Sequence, residues 1–223
     1  MALTSPRLAE RSFMRNKPTM KARCDSLFNK SIIRQKRRKG TCTSRKAAQT
    51  SILAVRPHPR NRTRGLLSID AFVFPCALGR SGISVFKREG DGATPGFVMH
   101  PLGIYFRRDR RRGGIGPARL PVLSIRSDLG WCDAPGDANY NRPVRLPFPK
   151  SHERMEREDA LYDICVVLDW NIKSRQRGAG SAIFLHIAHP EMKPTEGCIA
   201  IAPQTMRRIL PRLSRKTRIR VLS

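Results

Sequence analysis

Aromatic residues make up only 6% of the 223-residue chain, with two Trp and three Tyr. That scarcity argues against a surface that stacks nucleobases along a strand. Acidic residues are scarce as well: 17 Asp and Glu stand against 44 Lys and Arg. Six cysteines are too few for a disulfide scaffold in a chain this long, and none forms a C-x-x-C pair. No tight Cys/His cluster suggests a zinc module, so neither a metal nor another cofactor is expected. No run approaches the roughly 18 apolar residues that span a bilayer, and no integral membrane segment is expected. Residues 1–30 hold no apolar run of the kind that forms a secretory signal. The arginines of "KRRKG" lack the apolar run that twin-arginine export requires.

What the chain does have is positive charge, +27 in formal balance. A charge of that size attracts polyanions: nucleic acid, anionic lipid or acidic wall polymers. It is unevenly placed. Residues 1–50 hold fourteen Lys and Arg against two acids. Residues 1–52 read as a basic, disordered extension, Ser/Thr-rich and without a sustained period. Such a tail would contact a polyanion, or it reflects an over-long translation start.

Beyond residue 52 the pattern becomes that of a mainly β domain. "TSILAVR" alternates in part, and "GLLSIDAFVFPCALG" reads as two short strands around a turn at Ser68-Ile69-Asp70. "GFVMHPLGIYFRRD" looks like a strand pair, and "LYDICVVLDWN", "SAIFLHIA" and "CIAIA" each read as a strand. "PQTMRRIL" predicts a helix with Pro203 at its first position and Met206, Ile209 and Leu210 on one face. "TRIRVLS" closes the chain as an alternating strand.

Chemistry concentrates in "AIFLHIAHPEMKPTEGCIAIAP", residues 182–203. A thiol attacks a carbonyl only as its thiolate, and its free pKa lies above neutral. Cys198 would therefore need a base. His186 can serve if the intervening loop folds back, and Pro190, Pro194 and Gly197 permit that. Gly197 lets the backbone approach a substrate, and N–H groups at such a turn can hold an oxyanion. The competing reading is a buried histidine beside a small apolar thiol. His189 is a rival base but, as the neighbour of Pro190, reads as a loop residue.

A histidine ending a strand, a loop, and then Ser/Thr-x-Gly-Cys followed by Ile/Val resembles the L,D-transpeptidase (YkuD-type) catalytic domain. Here that is His186 and Thr195-Glu196-Gly197-Cys198-Ile199. "WCDAPGDANYNRPVRLP", "SHERMEREDALYDICVVLDWN" and "RGAGSAIFLH" are similar to a proteobacterial branch of that family. The resemblance covers residues 53–222. It implies a β-sandwich-like, mainly antiparallel catalytic domain with one or two short helices. It also implies acyl transfer on peptidoglycan stem peptides that carry diaminopimelate as donor and acceptor, at the periplasm or cell envelope. By resemblance Cys198 is the nucleophile, His186 the proton acceptor and donor, and the N–H groups of Gly197 and Cys198 the oxyanion hole. Two positions depart from many relatives: Glu196 stands where they have histidine, and Ala200 where they have arginine. That puts substrate preference in question.

Further residues are weaker candidates for substrate contact: Thr195 and Glu196 in the motif, Ser181 one strand-length before His186, Trp131 and Tyr140 in a polar loop, and His152. Structural roles compete for each of them. Asp91 and Thr94 read as an exposed turn, and Tyr162 as structural. Two alternatives to the enzyme stand: a degenerate domain that binds wall polymer without turnover, and a basic nucleic-acid-associated protein.

Overall fold

The computed structural model describes residues 52–111 and 113–223. The basic extension expected over residues 1–52 therefore lies, all but its last residue, outside the described residues.

The described strands, in chain order, begin with β1 (Ile52–His58), β2 (Asn61–Ile69), β3 (Phe72–Ala77), β4 (Ile83–Ser84) and β5 (Thr94–Pro95). They continue with β6 (Val98–Met99), β7 (Pro101–Phe106), β8 (Val122–Ser124), β9 (Leu129–Cys132) and β10 (Arg142–Arg145). The last are β11 (His152–Arg154), β12 (Ile164–Leu168), β13 (Phe184–Ile187), β14 (Ile199–Ile201) and β15 (Arg218–Val221). One helix, α1 (Pro203–Ile209), runs into a 3-10 turn at Leu210–Arg212. Pro203 starts α1 as expected, where its missing N–H is no loss.

Ten strands form one sheet in the order β6-β15-β1-β2-β3-β14-β13-β12-β7-β8. It is mainly antiparallel, as the resemblance implied, with three parallel pairings. β1–β15, β13–β14 and β7–β8 run parallel. A parallel neighbour needs a long return connection rather than a tight hairpin. The segment 188–198 between β13 and β14 is that connection, which is why the His/Cys loop exists.

Local readings shift by small amounts for visible reasons. The β2–β3 turn falls at Asp70-Ala71 rather than at Ser68–Asp70, because Ile69 is buried and pairs with both Leu53 and Phe72. Asp70 takes the left-handed conformation there (φ 51°). β6 and β7 are consecutive but not paired; β6 joins β15 and β7 joins β12. The stretch around Trp131, read as loop, holds β9, which lies between β10 and β11 in a separate three-stranded sheet.

The large sheet has two faces of different fate. One carries Leu53, Leu67, Ile69, Leu185, Ile199 and Ile201 against Met206 and Ile209 of α1. Fully burying one such aliphatic side chain stabilises by about 1.5–3 kcal/mol. The other face carries Tyr105, Cys165, Phe184 and Cys198, roofed by Trp131 of the small sheet and by Met155, which follows β11. Ala77, Ala188 and Ala200, with Met192, close the seam beside it. The groove between that roof and that seam is the site.

Candidate active site

His186 and Cys198 are brought to the same face of the sheet. β13 and β14 pair in parallel with Leu185 opposite Ile199 and His186 opposite Ala200. Cys198 thus lies level with Phe184, one diagonal step from His186. Both line a cleft of about 470 Å³. Cys165 stands opposite His186 on its other side.

The turn before Cys198 is held by side-chain and backbone bonds. Thr195 N–H donates to Leu78 C=O at 2.9 Å, and Arg80 N–H to Thr195 C=O at 2.8 Å. Thr195 Oγ1 donates to Cys198 C=O at 2.7 Å and accepts Gly197 N–H at 3.2 Å. Thr94 is fully buried behind the turn, its Oγ1 accepting Gly79 N–H at 2.9 Å. It is a structural member of the site rather than an exposed turn residue. Gly197 adopts φ +132°, and a Cβ there would meet Ala93 C=O at 2.8 Å, so only glycine fits.

The two reactive groups rest as neutral species. His186 Nδ1 lies 2.8 Å from Ile187 C=O. A carbonyl only accepts, so Nδ1 carries the proton and Nε2 keeps its lone pair. Burial lowers the imidazole pKa to about 4, against the opposing hydrogen bond to Ile187 C=O. Burial first, and then the Glu153 charge, raise the Cys198 thiol to about 12; Phe184 N–H and Lys87 act the other way. The thiol donates to Ala182 C=O at 3.2 Å and accepts Phe184 N–H at 3.3 Å. It is thus held at the start of β13.

Comparison with known proteins identifies the family. The family model for the L,D-transpeptidase catalytic domain (YkuD) matches residues 63–221. The chain belongs to this family. Among solved structures, L,D-transpeptidase 1 of Mycobacterium tuberculosis is similar at 13% identity, over 78% of this chain and 62% of that one, with a TM-score of 0.34. No curated protein matches the chain. The YkuD family acts on peptidoglycan of the cell wall.

Within this L,D-transpeptidase domain, Ser181, Thr195 and Glu196 join His186 and Cys198 in lining the cleft. Glu196 is exposed and pairs with Arg80 at 2.8 Å. Ala200, where many relatives have arginine, lines the cleft directly opposite His186. Ser181 is buried, and its Oγ has no hydrogen-bond partner among the described residues.

The other weak candidates fall elsewhere. Trp131 is 1% exposed, packs edge-on against Phe184 at 5.1 Å and donates to Asn141 Oδ1 at 3.0 Å. It is a core residue with no surface left for substrate. Tyr140 is equally buried and donates its phenol to Glu89, which itself lines the cleft. His152 lines a different hollow with Phe148 and Leu146. Its neighbour Glu153 faces the cleft instead, because adjacent strand residues point to opposite sides. His189 lines the cleft, with Nδ1 accepting Glu191 N–H at 3.2 Å.

Sequence reasoning missed a group of interlocked side chains. Tyr162, read as structural, sets its ring edge against His186 and donates to Glu153 Oε1 at 2.6 Å. The Arg157 guanidinium lies over the Tyr162 ring, 5.3 Å from its centroid, and pairs with Asp159 at 2.6 Å. Burial raises the Glu153 carboxyl above its ordinary range, against the Tyr162 hydrogen bond and the Arg157 charge. The run "SHERMEREDA" mixes charges of both signs, and nothing local in it shows that it folds over a histidine. No group of residues able to hold a metal ion occurs among the described residues.

Proposed function

We propose that this chain is a cysteine-dependent L,D-transpeptidase acting on peptidoglycan stem peptides. The observation that carries the reading is one cleft lined by both the Cys198 thiol, just before β14, and the His186 imidazole on the adjacent strand β13. With the thiol near 12 and the imidazole near 4, a preformed thiolate–imidazolium pair is disfavoured. Proton transfer must accompany attack, so His186 acts as a general base.

The steps follow from that. Rotation of the Cys198 side chain away from Ala182 turns Sγ toward the bound donor peptide. Sγ attacks the carbonyl carbon on the L-centre of diaminopimelate as its proton passes to His186 Nε2. The negative carbonyl oxygen needs donors. Gly197 N–H is already engaged by Thr195 Oγ1, so Cys198 N–H is the donor of this turn assigned to the oxyanion. Collapse breaks the amide bond, and the imidazolium returns its proton to the departing D-Ala amine. A thioester remains. An acceptor amine then attacks it, His186 takes the amine proton, and Cys198 leaves as its thiol with an isopeptide bond formed. Water in place of the amine gives the carboxypeptidase outcome.

Intact-mass spectrometry after exposure to a carbapenem, a β-lactam class that acylates this family, tests the reading. The expected result is one covalent adduct on Cys198, absent in Cys198→Ser and slowed in His186→Ala. A mass unchanged by both the carbapenem and a tetrapeptide donor would instead identify a wall-binding domain without turnover.

A further inference from the structure

Among the described residues, the sheet face that forms the cleft continues, uncovered, over the five strands β6, β15, β1, β2 and β3. The registers define which residues share it. Val98 stands opposite Arg220, Arg220 opposite Ala54, Ala54 opposite Ser68, and Ser68 opposite Val73. Ile52 stands opposite Arg218, Arg56 opposite Leu66, and Leu66 opposite Pro75. All of these are exposed except the small Ala54 and Ser68, which are half-buried, and Val73 reaches 60%. The opposite face of the same strands is the packed core under α1. Continuing through Ala77 and Ala200, the open face reaches His186.

An antiparallel sheet with one wet face ordinarily shows polar residues there. This one shows Ile52, Leu66, Val73 and Val98 interleaved with Arg56, Arg218 and Arg220. The five strands contain no Asp or Glu. None of these three arginines takes an ion pair among the described residues. Apolar side chains exposed together mark an interaction surface.

We propose that this face docks on an anionic phospholipid surface. Charge complementarity selects that occupant. A second copy of the chain would set arginines against arginines, and residues 1–50, with fourteen cations and two acids, carry the same sign. Nucleic acid is read through aromatic stacking and phosphate contact together, and the outward positions hold no aromatic residue. Aliphatic side chains instead enter the headgroup–acyl boundary while guanidinium groups hold lipid phosphates. Sheet twist turns the face by roughly 80–100° between β1 and β13, so the cleft opens beside the lipid surface and not into it. The proposal is independent of the catalytic reading.

The test is flotation of the full chain with vesicles of phosphatidylglycerol and phosphatidylcholine in equal amounts, against phosphatidylcholine alone. The wild-type chain binds the anionic vesicles, and the triple variant Arg56→Glu, Arg218→Glu, Arg220→Glu loses about tenfold or more in affinity at equal salt. Leu66→Ser with Val73→Ser removes the part of binding that survives raised salt. Circular dichroism and carbapenem acylation check that both variants fold. As a measurement that needs no loss of binding, Val73→Trp adds an indole whose emission shifts to the blue on anionic vesicles. Unchanged affinity in the triple variant, with no shift at Trp-substituted Val73, places vesicle binding elsewhere in the chain and overturns the proposal. So does loss of binding to purified peptidoglycan or of self-association, with vesicle binding intact.

Discussion

Tyr162 sets its ring edge against the His186 imidazole, with centroids 5.1 Å apart and planes at 73°. The same residue donates its phenol to Glu153, whose charge raises the Cys198 thiol pKa. One side chain therefore touches the imidazole and, through a carboxylate, influences the thiol. Replacing Glu153 by Gln keeps an acceptor for the phenol but removes the charge. The Cys198 pKa then falls from about 12. Alkylation of Cys198 by iodoacetamide in mildly alkaline buffer should accelerate about three- to tenfold. An unchanged rate against pH would detach Glu153 from the thiol.

Acid sensitivity follows from His186. Its folded pKa, about 4, lies below the unfolded value of about 6.5. As pH falls the unfolded chain takes up the proton first. The stability this histidine contributes is thus full above about 6.5 and is lost progressively down to about 4, amounting to about 3 kcal/mol. Urea titrations at neutral pH and near pH 4 should show this loss in the wild-type chain and a smaller one in His186→Gln. In turnover, the acid limb of kcat/KM should fall near 4 and not near 6.5.

Gly197→Ala tests the turn. The methyl group meets Ala93 C=O at 2.8 Å, at a φ of +132° that disfavours any L side chain. A stability loss of about 1–3 kcal/mol is expected from the strained backbone alone. The carbapenem adduct should also form much more slowly, because Cys198 is carried on the same turn. Full stability together with full acylation would show that the turn tolerates a side chain.

Thr195→Val keeps the shape of the side chain and removes its oxygen. Gly197 N–H loses its partner at 3.2 Å, and Cys198 C=O loses the 2.7 Å bond and keeps only the 3.4 Å bond from Thr94 Oγ1. A buried polar group left unpaired costs about 1–3 kcal/mol. Thr195→Ser should retain acylation while Thr195→Val loses about tenfold or more. Equal rates in the two variants would confine Thr195 to packing.

The parts of the site that were legible in the sequence are those in which near neighbours along the chain meet. Thr195, Gly197 and Cys198 lie within four positions, and the hydrogen bonds between them are local. Alternation in "CIAIA" and "TRIRV" marked β14 and β15 because one face of each strand is core. The turn at Asp70 was misplaced by one or two positions, since only pairing with Leu53 and Phe72 keeps Ile69 in its strand. Trp131 looked like a substrate contact because a large aromatic in a polar stretch gives no hint of the Phe184 ring, fifty-three positions later, that buries it.

By itself the sequence determined the β character, the helix after β14 and the family motif of one loop, because strand period, proline placement and turn residues act between neighbours in the chain. Only the tertiary structure decided that β13 and β14 run parallel and so put His186 and Cys198 on one face. It alone set Tyr162, Glu153 and Arg157 around them and left the basic half of the same face open. Burial and register are sums over contacts between residues far apart in sequence, and no local pattern contains them.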